Sequence, residues 1–247
     1  MSAAEPLTTL LDGRVRLVSG AGLPPTTDTV VLAAATPAQK GDRVLEAGCG
    51  SGAASLCLAA RVPGCSVTAI EREPDLARTA RDNVAANDLS ERITVLTGDI
   101  AAPPGPWPRP GFDLVMTNPP YLDPARVRAS PDRLRRAATV ESMPLRAWLA
   151  ACTAPLRDGG SLIVIHRADR LDELLAALPG LLGSVAILPL WPDGEGKRPA
   201  RRLLLRATRG GRAPLRLLPG IALHDAGGAY SEAAQAIFRA CGALSWG

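Results

Sequence analysis

One succession constrains the fold of this chain more than any other. Asp42 to Leu45 reads as a strand, Glu46-Ala47-Gly48-Cys49-Gly50-Ser51-Gly52 follows at once, and Ala53 to Arg61 is helical in composition. A strand, a glycine turn and a helix in direct contact begin a strand–helix repeat. The glycines let the backbone turn sharply and lie close against a ligand. The helix start adds free N–H groups. The spacing is Glu-x-Gly-x-Gly-x-Gly, which differs from the Gly-x-Gly-x-x-Gly of dinucleotide sites. An acid in front of the glycines repels a pyrophosphate and suits a ligand that carries an ammonium group.

The repeat continues, and each strand ends in a polar residue. Ser66 to Ile70 is the second strand and runs into Glu71, nineteen residues past Gly52. An acid at this place accepts hydrogen bonds from a ribose diol; the plainer alternative is a surface acid at a strand end. Glu73-Pro74 opens a helix with proline in its first turn, and Leu76, Ala80 and Val84 share one face. Ile93 to Leu96 is the third strand, followed by Gly98-Asp99-Ile100. The Asp99 carboxylate can accept from the exocyclic amine of an adenine while Ile100 packs on the ring; a turn aspartate is the alternative. Ala101 to Gly111 is a proline-rich loop.

The fourth strand, Phe112 to Met116, runs into Thr117-Asn118-Pro119-Pro120-Tyr121. Neither proline can extend a ladder, because neither has an N–H. Asn118 therefore sits where a strand stops, at the ligand edge of an open α/β sheet. Its side-chain carbonyl and the Pro119 carbonyl are two acceptors, and Tyr121 is a flat plate beside them. That set fits a planar NH2 group attached to a ring.

The flanks are less specific. Thr8 to Val18 reads as a hairpin turning at Asp12-Gly13. Thr26, Thr27 and Asp28 precede an apolar run, and Asp28 is either a helix cap or a ligand residue. Asp123 to Arg136 carries Arg126, Arg128, Arg133, Arg135 and Arg136 beside the proposed site, as a substrate-binding loop would. Leu145, Trp148, Leu149, Cys152 and Leu156 follow helical spacing, which makes Trp148 a core residue. Asp158-Gly159-Gly160 reads as a turn before a strand from Ser161 to His166, with His166 structural. Ser184 to Trp191 and Arg201 to Thr208 form a terminal hairpin, Pro214 to Leu223 a further extended piece and Ser231 to Ala240 a last helix. Five strand–helix steps and a hairpin describe a doubly wound α/β sheet.

Composition narrows the function. The five cysteines are scattered without a Cys-x-x-Cys pair and there are only two histidines, so neither disulfides nor a metal site is expected. No stretch reads as a signal peptide or a membrane span, which suits a cytoplasmic enzyme. The net charge of +4 is uneven: Lys197 to Arg216 holds eight Lys and Arg and no acid, including Lys197, Arg198, Arg201 and Arg202. Such a block is either an RNA-binding surface or a solvated hairpin face.

Together, Glu46-x-Gly-x-Gly-x-Gly, Glu71, Asp99 and Asn118-Pro-Pro-Tyr121 resemble the class I S-adenosylmethionine-dependent methyltransferases of the Asn-Pro-Pro-Tyr type. The resemblance implies a Rossmann-like, seven-stranded, mostly parallel sheet with an antiparallel last strand. It implies Glu46 and Gly48, Cys49, Gly50 and Gly52 at the methionine end, with Asp28 closing over it. Glu71 would hold the ribose, Asp99 and Ile100 the adenine, and Asn118 to Tyr121 the reacting amine, with Asn118 also touching the cofactor. The N-terminal hairpin, Thr27-Asp28-x-Val-Val-Leu-Ala and the tail from Leu188 to Tyr230 resemble the tRNA(Val) adenine-N6 methyltransferase family in particular. That implies a tRNA partner, with phosphates met by Arg126, Arg128, Arg135, Arg136, Lys197, Arg198, Arg201 and Arg202. It also implies one domain over 1–247: hairpin and loop to 27, core from 28 to 208, extension from 209. The family's Ala-Arg-aromatic-x-Glu reads here as Ala137-Ala138-Thr139-Val140-Glu141, a departure that bears on the RNA target. Ribosomal RNA guanine-N2 methylation and release-factor glutamine methylation share Asn-Pro-Pro-Tyr and are the competing readings.

Overall fold

A computed structural model describes residues 8–18, 25–120, 143–194 and 198–247. Tyr121, Arg126, Arg128, Arg133, Arg135, Arg136, Lys197 and the 137–141 segment lie outside the described residues. Eleven strands and six α-helices are described: β1 (Thr8–Leu10), β2 (Val15–Leu17), α1 (Thr27–Ala35), β3 (Arg43–Ala47), α2 (Ala53–Arg61), β4 (Ser66–Glu71), α3 (Pro74–Ala86), β5 (Ile93–Thr97) and β6 (Phe112–Thr117) come first. There follow α4 (Leu145–Thr153), β7 (Leu156–Arg167), α5 (Leu171–Ala177), β8 (Leu182–Trp191), β9 (Arg202–Arg209), β10 (Arg216–Leu217), β11 (Ile221–Ala222) and α6 (Glu232–Phe238).

The main sheet runs β5-β4-β3-β6-β7-β9-β8. β9 is antiparallel to both of its neighbours, and the other six strands are mutually parallel. This is the expected seven-stranded order with an antiparallel last strand. The tail adds to it: β10 and β11 both pair in parallel with β8 and extend that edge.

Strand side chains alternate between two cores, as the period of two requires. Leu114, Met116, Ile163 and Ile165 face α1 and α2. Val115, Leu162 and Val164 face α4 and α5. Both faces being covered explains why these strands read as continuous apolar runs. Leu45 and Val115 are fully buried, and each such side chain contributes about 1.5–3 kcal/mol.

The two flanks brace the first layer of helices. The N-terminal hairpin turns through a four-residue loop, since Leu10 pairs with Val15; it is not the two-residue turn that Asp12-Gly13 suggests. Leu11 and Asp12 both take positive φ there. Arg16 N donates to Asn87 Oδ1 at 2.9 Å and Val18 N to Asn83 Oδ1 at 2.7 Å, which tie the hairpin to α3. At the other end of the chain, Leu244 N donates to Ala34 O and Trp246 Nε1 to Ala35 O, each at 2.8 Å. These satisfy carbonyls that the end of α1 leaves open. Asp158-Gly159-Gly160 lies inside β7, where the pairing with β6 shifts register. Leu156 belongs to that strand and not to the helical stripe of α4.

Candidate active site

The functional edge is the one where the parallel strands end. Register aligns it: Ala47 pairs with Ile70 on one side and with Thr117 on the other. Gly48 and Asn118, the next residues of β3 and β6, are therefore neighbours. β3 connects through α2 to β4 on one side, while β6 lies on the other. The gap between β3 and β6 is thus the switch point where open α/β sheets bind ligands.

A cleft opens there, at the place where open α/β sheets take their ligands. It brings together seven of the expected residues: Gly48, Gly50, Glu71, Asp99, Ile100, Asn118 and Pro120. Glu71 is buried; one carboxylate oxygen accepts from Gly50 N and the other from Glu73 N, both at 2.9 Å. Asp99 is half-buried and accepts from Ala101 N at 2.9 Å. Ile100 is buried beneath it. Asn118 is half-buried, and its amide makes no hydrogen bond to a described residue.

The glycine turn takes positive φ at all three glycines, +72° at Gly48, +54° at Gly50 and +80° at Gly52. Their surroundings differ. A Cβ at Gly50 would meet nothing within 4 Å, so this residue faces the cleft. A Cβ at Gly52 would lie 3.2 Å from Ala80 Cβ, so this glycine lets α2 pack on α3.

Other expected residues stand behind the turn. Glu46 is buried and accepts from Ser55 N at 2.9 Å and from Ser55 Oγ. It satisfies a free N–H in the first turn of α2 and does not line the cleft. Burial pushes its carboxyl up to about 8, against the opposing hydrogen bonds from Ser55. Cys49 is buried against Ala69 and Ala80, and burial raises its thiol well above the ordinary range. Pro119 is buried. Asp28 sits in the first turn of α1, where Thr26 is the N-cap, and its carboxylate accepts from Arg202 Nε at 2.7 Å.

Sequence reasoning missed Trp148. Its helical stripe does reach the core, but the ring lies at the end of that stripe and lines the cleft. Nε1 donates to Thr117 Oγ1 at 3.1 Å, and Thr117 donates to Ala47 O at 2.9 Å. Arg72, Leu76 and Gly98 also line the cleft. Leu76 was legible only as a core position.

The basic segment is divided by β9. Arg198 pairs with Asp193 at 2.6 Å and Arg202 with Asp28, at the ligand edge, where exposed Arg201 also lies. Arg209 pairs with Asp158 at the opposite edge. A second hollow at the ligand edge is lined by Arg198, Arg201, Arg202 and His224. His166, at the end of β7, is buried, and burial pushes its imidazole down to about 4. All five cysteines are buried and unpaired. Among the described residues no helix is long and apolar enough to cross a membrane.

A family model described as a methyltransferase domain matches residues 44–140, the stretch that supplies all four strand ends of the cleft. Fold, cleft and match define a methyltransferase of the S-adenosylmethionine-dependent class. A predicted O-methyltransferase from Agrobacterium tumefaciens has the same fold, with a TM-score of 0.71 and 25% identity over 88% of this chain and 98% of that one. So does an S-adenosylmethionine-dependent O-methyltransferase from Thermotoga maritima, with a TM-score of 0.54 and 21% identity over 78% and 69% of the two chains. The tRNA1(Val) (adenine(37)-N6)-methyltransferase of Aeromonas hydrophila subsp. hydrophila is 33% identical over 215 residues, which are 83% of this chain and 84% of the relative. This chain belongs to the tRNA1(Val) (adenine(37)-N6)-methyltransferase family.

Proposed function

We propose that this chain methylates the exocyclic N6 amine of an adenine in tRNA, adenine 37 of tRNA1(Val) as the relative's name states. In this reading residues 1–247 act as one cytoplasmic methyltransferase domain, with 28–208 as its core. The observation that carries it is Asn118: a half-buried amide without a described partner, next to Gly48, in one cleft with Glu71 and Asp99. A fold shared with O-methyltransferases does not choose the acceptor atom; the site does. An alcohol needs a base for its proton. The described residues beside Asn118, namely Gly48, Pro120 and Trp148, supply none. An amine needs acceptors, which Asn118 Oδ1 and the Pro119 carbonyl provide.

The residues fit the cofactor. Gly50 leaves open space at the glycine turn, Glu71 has lone pairs to spare for a ribose diol, and Asp99 with Ile100 suits an adenine. Glu46, through Ser55, holds the start of α2 under that turn, with Gly48, Cys49 and Gly52 shaping it, and Asp28, paired with Arg202, closes over the methionine end when the cofactor is bound. When bound, S-adenosylmethionine supplies an activated methyl group. Asn118 Oδ1 and Pro119 O accept the two hydrogens of the adenine amine, which favours a pyramidal nitrogen with an available lone pair. These bonds strengthen as positive charge grows on that nitrogen, and after transfer the methylated nitrogen, now strongly acidic, gives up one of its two protons to water. Pro120 fixes the turn, and Tyr121 stacks on a base flipped from its loop. Arg198, Arg201 and Arg202, with Lys197, Arg126, Arg128, Arg135 and Arg136 by their sequence, meet RNA phosphates.

The test is Asn118→Ala. Single-turnover transfer should fall by about 100- to 1,000-fold while calorimetric cofactor affinity stays within a few-fold. Near-normal transfer by the variant would overturn this mechanism.

A further inference from the structure

The cleft has three parts along the sheet edge. Glu71 ends β4 and Arg72 follows it, Gly98, Asp99 and Ile100 follow β5, and Gly48, Asn118, Pro120 and Trp148 surround the switch point. On the function proposed above, the reacting methyl belongs at the switch point, because the acceptor carbonyls are there. Among the described residues at that end none is charged, and Trp148 is the one aromatic ring.

That ring is held in place. Its Nε1 donates to Thr117 Oγ1 at 3.1 Å, and Thr117 in turn donates to Ala47 O, so the last residues of β3 and β6 both fix it. A Cβ at Gly48 would lie 3.1 Å from Cη2 and 3.2 Å from Cζ2 of the ring. Gly48 thus allows the indole to sit directly over the turn. The arrangement places a large π-system, oriented by a hydrogen bond, at the switch-point end of the cleft.

We infer that Trp148 contacts the cofactor's sulfonium and selects the charged, methyl-bearing cofactor over the neutral thioether left after transfer. The physical basis is the ring quadrupole, which attracts a cation more strongly than a neutral thioether. A carboxylate at that place would hold the sulfonium more strongly, and so oppose the loss of its charge on transfer. An aromatic face gives a weaker hold and still favours release of the product. Glu46, the nearest acid in sequence to the turn, is turned away to Ser55, and Glu71, which also reaches the turn, has its two oxygens engaged by Gly50 N and Glu73 N.

The inference rests on the function proposed above, and titration calorimetry separates the two. The full-length chain, Trp148→Phe and Trp148→Leu are each titrated with S-adenosylmethionine and with S-adenosylhomocysteine. Trp148→Leu should weaken S-adenosylmethionine by roughly 2- to 30-fold and S-adenosylhomocysteine by clearly less. Trp148→Phe, which keeps a ring and most of the packing, should fall between wild type and Trp148→Leu. Equal weakening of both ligands would make Trp148 a structural wall only and overturn the inference, as would no change in either. If the unmodified chain bound neither ligand, the function itself would fail.

Discussion

Glu71 Oε2 accepts a hydrogen bond from Gly50 N at 2.9 Å, so the acid that ends β4 holds the glycine turn that follows β3. The same carboxylate accepts from Glu73 N on its other oxygen, at the start of α3. One buried side chain therefore sets the separation of two loops that form the cleft. Replacing one oxygen with an amide nitrogen sets a donor against an N–H. A hydrogen bond to a charged group is worth about 1.5–3 kcal/mol. Glu71→Gln should weaken S-adenosylmethionine roughly 10- to 100-fold by calorimetry. Unchanged affinity would separate Glu71 from the turn.

Two glycines of that turn should respond differently to alanine. Both have positive φ, which costs an L-residue about 1–2 kcal/mol. Gly52 also meets Ala80 Cβ at 3.2 Å, whereas Gly50 meets nothing within 4 Å. Gly52→Ala should therefore lose more thermal stability. Gly50→Ala should lose cofactor affinity out of proportion to its melting temperature, because its new methyl enters the cleft. The paired readout is a melting curve and a calorimetric titration for each variant.

Stability should also depend on pH through Glu46. Its folded carboxyl is raised to about 8 by burial. The native state thus holds a proton that the unfolded chain releases near 4.5, and the associated stability is full below that value and lost as pH rises through 8. Between pH 7 and 9 the loss is on the order of 1 kcal/mol, or a few degrees in melting temperature for a chain of this size. Glu46→Gln should abolish this alkaline fall. His166 acts at the other limb. Its imidazole is lowered to about 4, so its contribution is present above pH 6.5 and lost as pH falls through 4. Glu46→Gln should leave that acid limb in place.

Much of this site could be read directly from residue order. A strand that ends in a turn with alternating glycines has one way to continue, and Ala53–Arg61 is the helix expected there. Glu71, Asp99 and Asn118 each follow an apolar run, and parallel strands bring such positions to one edge. Trp148 was hidden for a physical reason. It lies in register with Leu145, Leu149 and Cys152, and a stripe of that kind does not show where the core stops and a cleft begins. The edge strands β10 and β11 fall within the extended piece read from Pro214 to Leu223, but strands of two residues carry no periodicity to show where they pair. The basic segment was legible as charge but not as place: its arginines are spread from Arg198 to Arg216 in sequence, and β9 carries Arg202 and Arg209 to opposite edges of the sheet.

That division makes a prediction about RNA. Arg198 and Arg202 pair with Asp193 and Asp28, whereas the Arg201 side chain is exposed at the same edge. Affinity for unmodified tRNA should fall steeply with salt, since each neutralised phosphate releases counterions. Arg201→Ala should reduce the slope of log affinity against log salt by about 1. Arg209→Ala, at the far edge, should not change it. Fluorescence anisotropy at several salt concentrations provides the readout, and equal effects of the two substitutions would remove the ligand edge as the RNA surface.

The acceptor itself is the central claim, and the identity of the methylated product tests it most directly. The purified chain is incubated with isotope-labelled S-adenosylmethionine and unmodified tRNA, ribosomal RNA or a release factor in separate reactions. The labelled product is then digested and identified by mass spectrometry. The account predicts N6-methyladenosine, in tRNA alone. Label in N2-methylguanosine, or only in a protein glutamine, would contradict it.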